Sequence, residues 1–141
     1  MNRGSRIVLA LLALFFLSGP AWGQKNIQST STIIERTLTR LEFSQVMAKG
    51  PQRFIATMHL DPHSVKGRFV GWRIGGFAPN SGFVNSQSIL VGDIIVSVNE
   101  EPLERPEQFM RAWEVVRNAS TVTVKLIRGK THMVYGWTIQ P

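Results

Sequence analysis

The sequence has no cysteine and one tyrosine, only 18% of its 141 residues are charged, and no apolar run reaches bilayer length. Each absence excludes something. Without cysteine there are no disulfide staples, so an exported chain of this kind must rest on its hydrophobic core. A membrane-spanning helix needs about 18 to 20 consecutive apolar residues, and none is found. Charge this sparse, beside 43% hydrophobic residues, excludes a disordered chain. The length excludes large enzyme folds such as the α/β barrel. There is no repeat, no low-complexity stretch, no phosphate-binding loop and no zinc signature. Ser81 and Ser88 have no spaced His and Asp partners for a triad. What is left is one small domain behind a greasy start.

That start has the three parts of a secretory signal peptide. Arg3 and Arg6 form a positive n-region, residues 7–17 an apolar h-region, and Gly19-Pro20 a break. Ala21-Trp22-Gly23 then puts small residues at the −3 and −1 positions, so cleavage would leave Gln24 first. The competing expectation is an uncleaved anchor, for which the stretch is short. Removing Arg3 and Arg6 lowers the net charge from +7 to +5, and the remaining charges are dispersed. Dispersal argues against nucleic acid as a partner.

Residues 24–38 read as a polar tether, within which 33–38 could form a short strand. Thr39-Arg40-Leu41-Glu42 fits a capping box, opening a short helix that Gly50-Pro51 ends. Phe54, Ala56, Met58 and Leu60 alternate, predicting a strand over 54–60, followed by a loop over 61–66. Further strands are predicted over 68–74 and 94–98, with a loop-like connection over 75–88. Pro106 suits the first turn of a helix running to about Val116. A closing hairpin follows, with alternation over 122–127 and then at Met133, Tyr135, Trp137 and Ile139. The order implies an α+β or β-barrel-like domain with a helix over one opening.

Few residues suggest chemistry. His59, Asp61 and His63 would share a face of a strand and could bind a metal, but Pro62 and the loop composition favour plain surface polarity. Asn118-Ala119-Ser120 matches a glycosylation sequon at a helix end, where Asn is a good terminator. Asp93 is expected to make a turn hydrogen bond. Glu100, Glu101, Glu104 and Glu107 read as a solvated turn and helix N-terminus.

Three stretches resemble a PDZ domain, in that family's order. Phe69-Val70-Gly71-Trp72-Arg73-Ile74 looks like its carboxylate-binding loop and following strand. Ala78-Pro79-Asn80-Ser81-Gly82-Phe83, with Ile89-Leu90-Val91-Gly92-Asp93-Ile94-Ile95-Val96-Ser97-Val98-Asn99, looks like its bacterial Gly-Asp pattern. Residues 106–116 sit where its groove-lining helix falls. With the capped helix at Thr39 and with Asp61-Pro62, the chain from about Thr39 to Ile139 is similar to the periplasmic C-terminal part of the type II secretion inner-membrane protein C family (general secretion pathway protein C). This sequence departs from the pattern at Ser88 and Asn80, where Gly is usual, and at Asn99-Glu100, where the family has Asn-Gly. Glu100 would reach φ > 0 only at a cost, so a different turn type is expected. The family's membrane helix and middle domain do not fit between Gly23 and Thr39.

The resemblance implies a PDZ-like, partly open antiparallel β-barrel or sandwich with one groove-lining helix and a short N-terminal helix. It implies a peptide added as a strand beside Trp72, Arg73 and Ile74. Amides around Val70, Gly71 and Trp72 would receive a terminal carboxylate, with Lys66 and Arg68 nearby. Phe109, Trp113 and Val116 would form the opposite wall, with Ala112 and Val115 turned to the core. Core packing is the competing expectation for that stripe, and the two aromatics could equally fill the groove.

The implied function is a non-catalytic exported interaction module in the periplasm, linked to type II secretion and recruiting a secretion component or cargo. Two other roles suit the same residues: a regulatory subunit acting with a periplasmic protease, and a closed-groove structural or inhibitory domain. No cofactor or metal is implied, and the membrane is a partner only if the signal segment stays uncleaved as an inner-membrane anchor.

Overall fold

A computed structural model describes residues 31–79, 81 and 88–141. The expected signal segment, the start of the expected tether and much of the 75–88 connection lie outside the described residues. Strand β1 (Thr32–Thr39) runs straight into helix α1 (Arg40–Ala48). The capping box forms: Glu42 N–H donates to Thr39 Oγ1 at 3.2 Å, and Thr39 N–H donates to Glu42 Oε2 at 2.9 Å. The latter bond, helped by a second from the Thr39 hydroxyl, holds the Glu42 carboxyl below its ordinary 4.5.

Gly50, at φ 79, turns the chain, and Pro51 opens a second helix, α2 (Pro51–Ile55). The strand expected over 54–60 therefore begins only at Met58, as β2 (Met58–Val65). The loop expected over 61–66 is largely this strand. Pro62, which lacks an N–H, is accommodated because β2 lies at an edge of the sheet. β3 (Arg68–Phe77) returns antiparallel to it.

β4 (Ile94–Val98) and the two-residue β5 (Glu101–Pro102) form a hairpin closed by Asn99 and Glu100, with Val98 opposite Glu101. Both turn residues have positive φ, 46° and 65°, as a type I′ turn requires. Glu100 thus takes the conformation that the sequence argues against. Asn99 holds the turn there: its N–H donates to Thr123 O, its Oδ1 accepts from Thr123 N–H at 2.6 Å, and its Nδ2 donates to Thr121 O. Glu100 itself meets Lys125 at 2.6 Å.

Helix α3 (Pro106–Arg117) starts at the expected proline. Asn118 Nδ2 donates to Glu114 O at its end, the terminator role expected of it. β6 (Thr121–Arg128) and β7 (Thr131–Gln140) complete the fold. The sheet order is β1-β7-β6-β4-β3-β2, with β5 beside β4. Every pair is antiparallel except β1–β7, which is parallel over eight residue pairs. The strand expected within the tether is therefore part of the sheet.

The main core holds Ile74, Ile95, Leu126 and Tyr135, with Ala112 brought in from α3. A second cluster joins Phe43 of α1 to Val116 and Ile139. The outermost strands, β1 and β2, are joined by α1 and α2, which pass from one sheet edge to the other. No helix among the described residues is long and apolar enough to cross a membrane.

Candidate functional site

β3 has no free edge beside Trp72. On one side β2 pairs with it from Arg68 to Phe77, and on the other Trp72 and Arg73 face Ile95 and Ile94 of β4. Ile74 continues the pairing, its N–H donating to Asp93 O and its carbonyl accepting from Gly92 N–H, both at 2.8 Å. This corrects the expected docking beside Trp72–Ile74: a peptide cannot add to a strand flanked on both sides. Of the expected carboxylate cradle at Val70–Trp72, Gly71 and Trp72 are paired within the sheet. Gly71 lies opposite His63 and Trp72 opposite Pro62, while Val70 occupies a break in the register.

The close approach that Gly71 permits is to the chain itself. A Cβ there would run into the carbonyl oxygen of Ile95. Ile74 is fully buried, and Arg73 points to solvent, its guanidinium on His63 Nδ1 at 2.8 Å. Of the five β3 residues, Trp72 alone reaches an open space, its indole N–H anchored on Leu103 O.

That space is an apolar cavity of about 960 Å³, and it is where the expected helix stripe does assemble. Phe109, Trp113 and Val116 of α3 line one side of it. Ala112 is buried as expected, but Val115 is not turned to the core: it is 46% exposed. Facing the stripe are residues that the sequence reading passed over as site residues: Phe54 and Ile55 of α2, and Met58 and Leu60 of β2, with Val46 and Met47 of α1 forming a roof. Phe54 and Trp113 touch, their ring centroids 5.5 Å apart. The signal that would have found this wall is Gly50-Pro51, which starts a helix as well as ending one.

β2 is the last strand of the sheet, so one of its edges carries unpaired backbone groups. Met58 and Leu60 therefore border the cavity from a strand able to accept another, with α3 across the gap. Lys49, Glu104 and Arg105 are the charged residues at the lining. None of the three takes part in an ion pair among the described residues.

The Gly-Asp stretch is held from within. Asp93, 1% exposed, accepts the expected turn bond from Leu90 N–H at 2.8 Å. It also receives Arg128 in a two-bond fork, Nε at 2.8 Å and Nη2 at 2.7 Å. The guanidinium also reaches Ser88 O and Tyr135 Oη. The bonds to Asp93 raise Arg128 above the ordinary guanidinium range, against the opposing effect of burial. This pair braces the approach to β4. It was half legible, since Asp93 stood out in the sequence and Arg128 did not.

His59 and Asp61 do lie along a strand, 3.4 Å apart, while His63 turns to Arg73. Among the described residues no group of three or more His, Cys, Asp or Glu is placed to hold a metal. The acidic cluster is partly paired, Glu100 with Lys125 and Glu101 with Arg111.

No protein-family model matches the sequence, and no curated protein matches it. Solved structures do. The PDZ domain of EpsC from Vibrio cholerae superposes with a TM-score of 0.50 at 15% identity, over 67% of this chain and 89% of that one. The PDZ domain of the pullulanase C protein of the type II secretion system from Klebsiella pneumoniae, in complex with fatty acid, gives 0.48 at 14% identity, over 67% and 97%. The chain has the PDZ-like α+β fold expected of it, as the EpsC domain has.

Proposed function

We propose that this PDZ-like domain is a non-catalytic periplasmic interaction module that docks an extended segment of a partner protein between β2 and α3, in the service of type II secretion. One observation carries the proposal: an unpaired strand edge borders an apolar cavity of about 960 Å³ walled by Phe109 and Trp113. The edge can extend the sheet by one strand, and the cavity can take that strand's side chains. The volume lies within the ~300 to 1,000 Å³ usual for binding pockets. The secretion link follows from the resemblance to protein C domains, and the periplasmic location from the signal-like N-terminal segment.

The tagged full chain, exposed to periplasmic extract, should recover type II secretion components or secreted cargo. Phe109→Ala, at a half-buried position, should weaken that binding by more than ~1 kcal/mol. Met110→Asp, at a 43% exposed position on the cavity lining, should do the same without touching the core. Recovery of a protease alone would reject the secretion link in favour of a protease partner.

A second reading is favoured by Trp113, which is 7% exposed and packed between Phe54 and Phe109. In it the aromatics serve the core and the domain is closed, acting as a structural or inhibitory unit. Absence of specific binding in the wild type would support that reading.

A further inference from the structure

Building on the docking reading, we infer that the groove takes an internal extended segment, not a free C-terminus, and that this segment carries bulky apolar side chains with an acidic flank. Capture of a terminal carboxylate needs a concave row of unpaired backbone N–H groups. The residues just before β2, Phe54, Ala56 and Thr57, offer none. Phe54 N–H donates to Gly50 O at 3.1 Å, Ala56 N–H to Gln52 O at 3.0 Å, and Thr57 N–H to Phe54 O at 3.1 Å. The stretch that could have been an open loop has wound into α2, and these three donors are spent within that turn. The other candidate cradle, at Gly71 and Trp72, lies inside the sheet.

What the groove keeps is the part of strand docking that is indifferent to chain ends. The edge of β2 can bond any extended backbone, and the cavity has room for more than one large side chain. Three methionines, Met47, Met58 and Met110, stand among its lining residues. Their unbranched, polarizable chains adapt to different apolar shapes.

Charge selects the flank. Lys49 and Arg105 border the cavity, and Arg53 adjoins Phe54 on α2. None of these cations has an ion-pair partner among the described residues, and Glu104 is the single acid at the lining among them. The lining is therefore net positive and complements an acidic side chain beside the apolar ones.

The test displays random peptides to the full chain in two formats, anchored at both ends within a carrier loop and ending in a free C-terminus. Binders should come from the doubly anchored library and combine Leu, Ile or Phe with Asp or Glu. Their synthetic versions should bind within about twofold whether the C-terminus is free or amidated. The charge-swapped Lys49→Glu/Arg105→Glu chain, checked for folding by circular dichroism, should bind at least about fivefold more weakly at low salt. That difference should shrink at about 0.5 M salt.

Binders confined to the free C-terminal library, or an affinity loss of about tenfold on amidation, would overturn the inference and leave peptide docking standing. An unchanged affinity in the charge-swapped chain would overturn the acidic flank. No binder in either library would overturn the docking reading along with it.

Discussion

Gly71 shows how a motif residue changes meaning once its neighbours are known. In sequence it suggested a backbone left open to a ligand, and in the fold the backbone it admits is that of β4. Any side chain here must displace a sheet carbonyl, because the obstacle is Ile95 O and not a flexible side-chain tip. Gly71→Ala should therefore destabilise the domain by about 2 kcal/mol or more, within the range for overpacked interiors. Thermal unfolding would read this as a fall of about 10 °C in the midpoint. Gly76→Ala is the matched control on the same strand. Its Cβ would meet nothing within 4 Å, so the midpoint should hardly move. Equal effects at the two positions would refute the close-approach account.

At the scale of elements, α1 is held more by its start than by its face. Phe43 is its one buried residue, and Leu41 is 69% exposed. The capping box therefore matters, and it is pH-sensitive. Glu42 is held below its ordinary 4.5 in the folded protein, so the cap's contribution is complete above that value. It is lost as the pH falls through the lower folded value. Protection of the Thr39 amide against exchange, taken relative to its intrinsic rate, should fall over that acid range in the wild type. In Glu42→Gln, which keeps an acceptor but no titrating group, the acid step should be absent.

The same elements show what the sequence could disclose. β4, α3 and the β6–β7 hairpin were legible because each keeps one period and has clear ends, such as Pro106 at the start of α3. The stretch from Pro51 to Val65 was not legible. Phe54, Ala56, Met58 and Leu60 alternate as a strand would, yet the first two belong to a helical turn and the last two to β2. Local alternation cannot register the change of element between them. Pro62 then argued for a loop, since only the assembled sheet shows that β2 is an edge. The helix side of the candidate site could thus be read from spacing, whereas the strand side depended on pairing between distant segments.

Across the whole molecule, the sheet begins and ends on strands that are neighbours in sequence, joined by α1 and α2 across the cavity. β1 covers the edge of β7 and contributes the half-buried Ile34 and Leu38. A chain starting at Arg40 should lose about 3 kcal/mol, the scale of burying one or two such side chains. It should also self-associate through the bared β7 edge. Urea unfolding and light scattering would measure the two effects, and an equally stable monomer would show β1 to be dispensable. The direction of β1 has a mechanical consequence. Because it runs parallel to β7, with Thr32 opposite Met133 and Thr39 opposite Gln140, tension between the start of β1 and the end of β7 pulls the strands oppositely along their length. The ladder between them is then loaded in shear, all its bonds at once, where an antiparallel pair pulled from one end would unzip bond by bond. The pair acts as a clasp, and its rupture rate would set how long the domain withstands a pull.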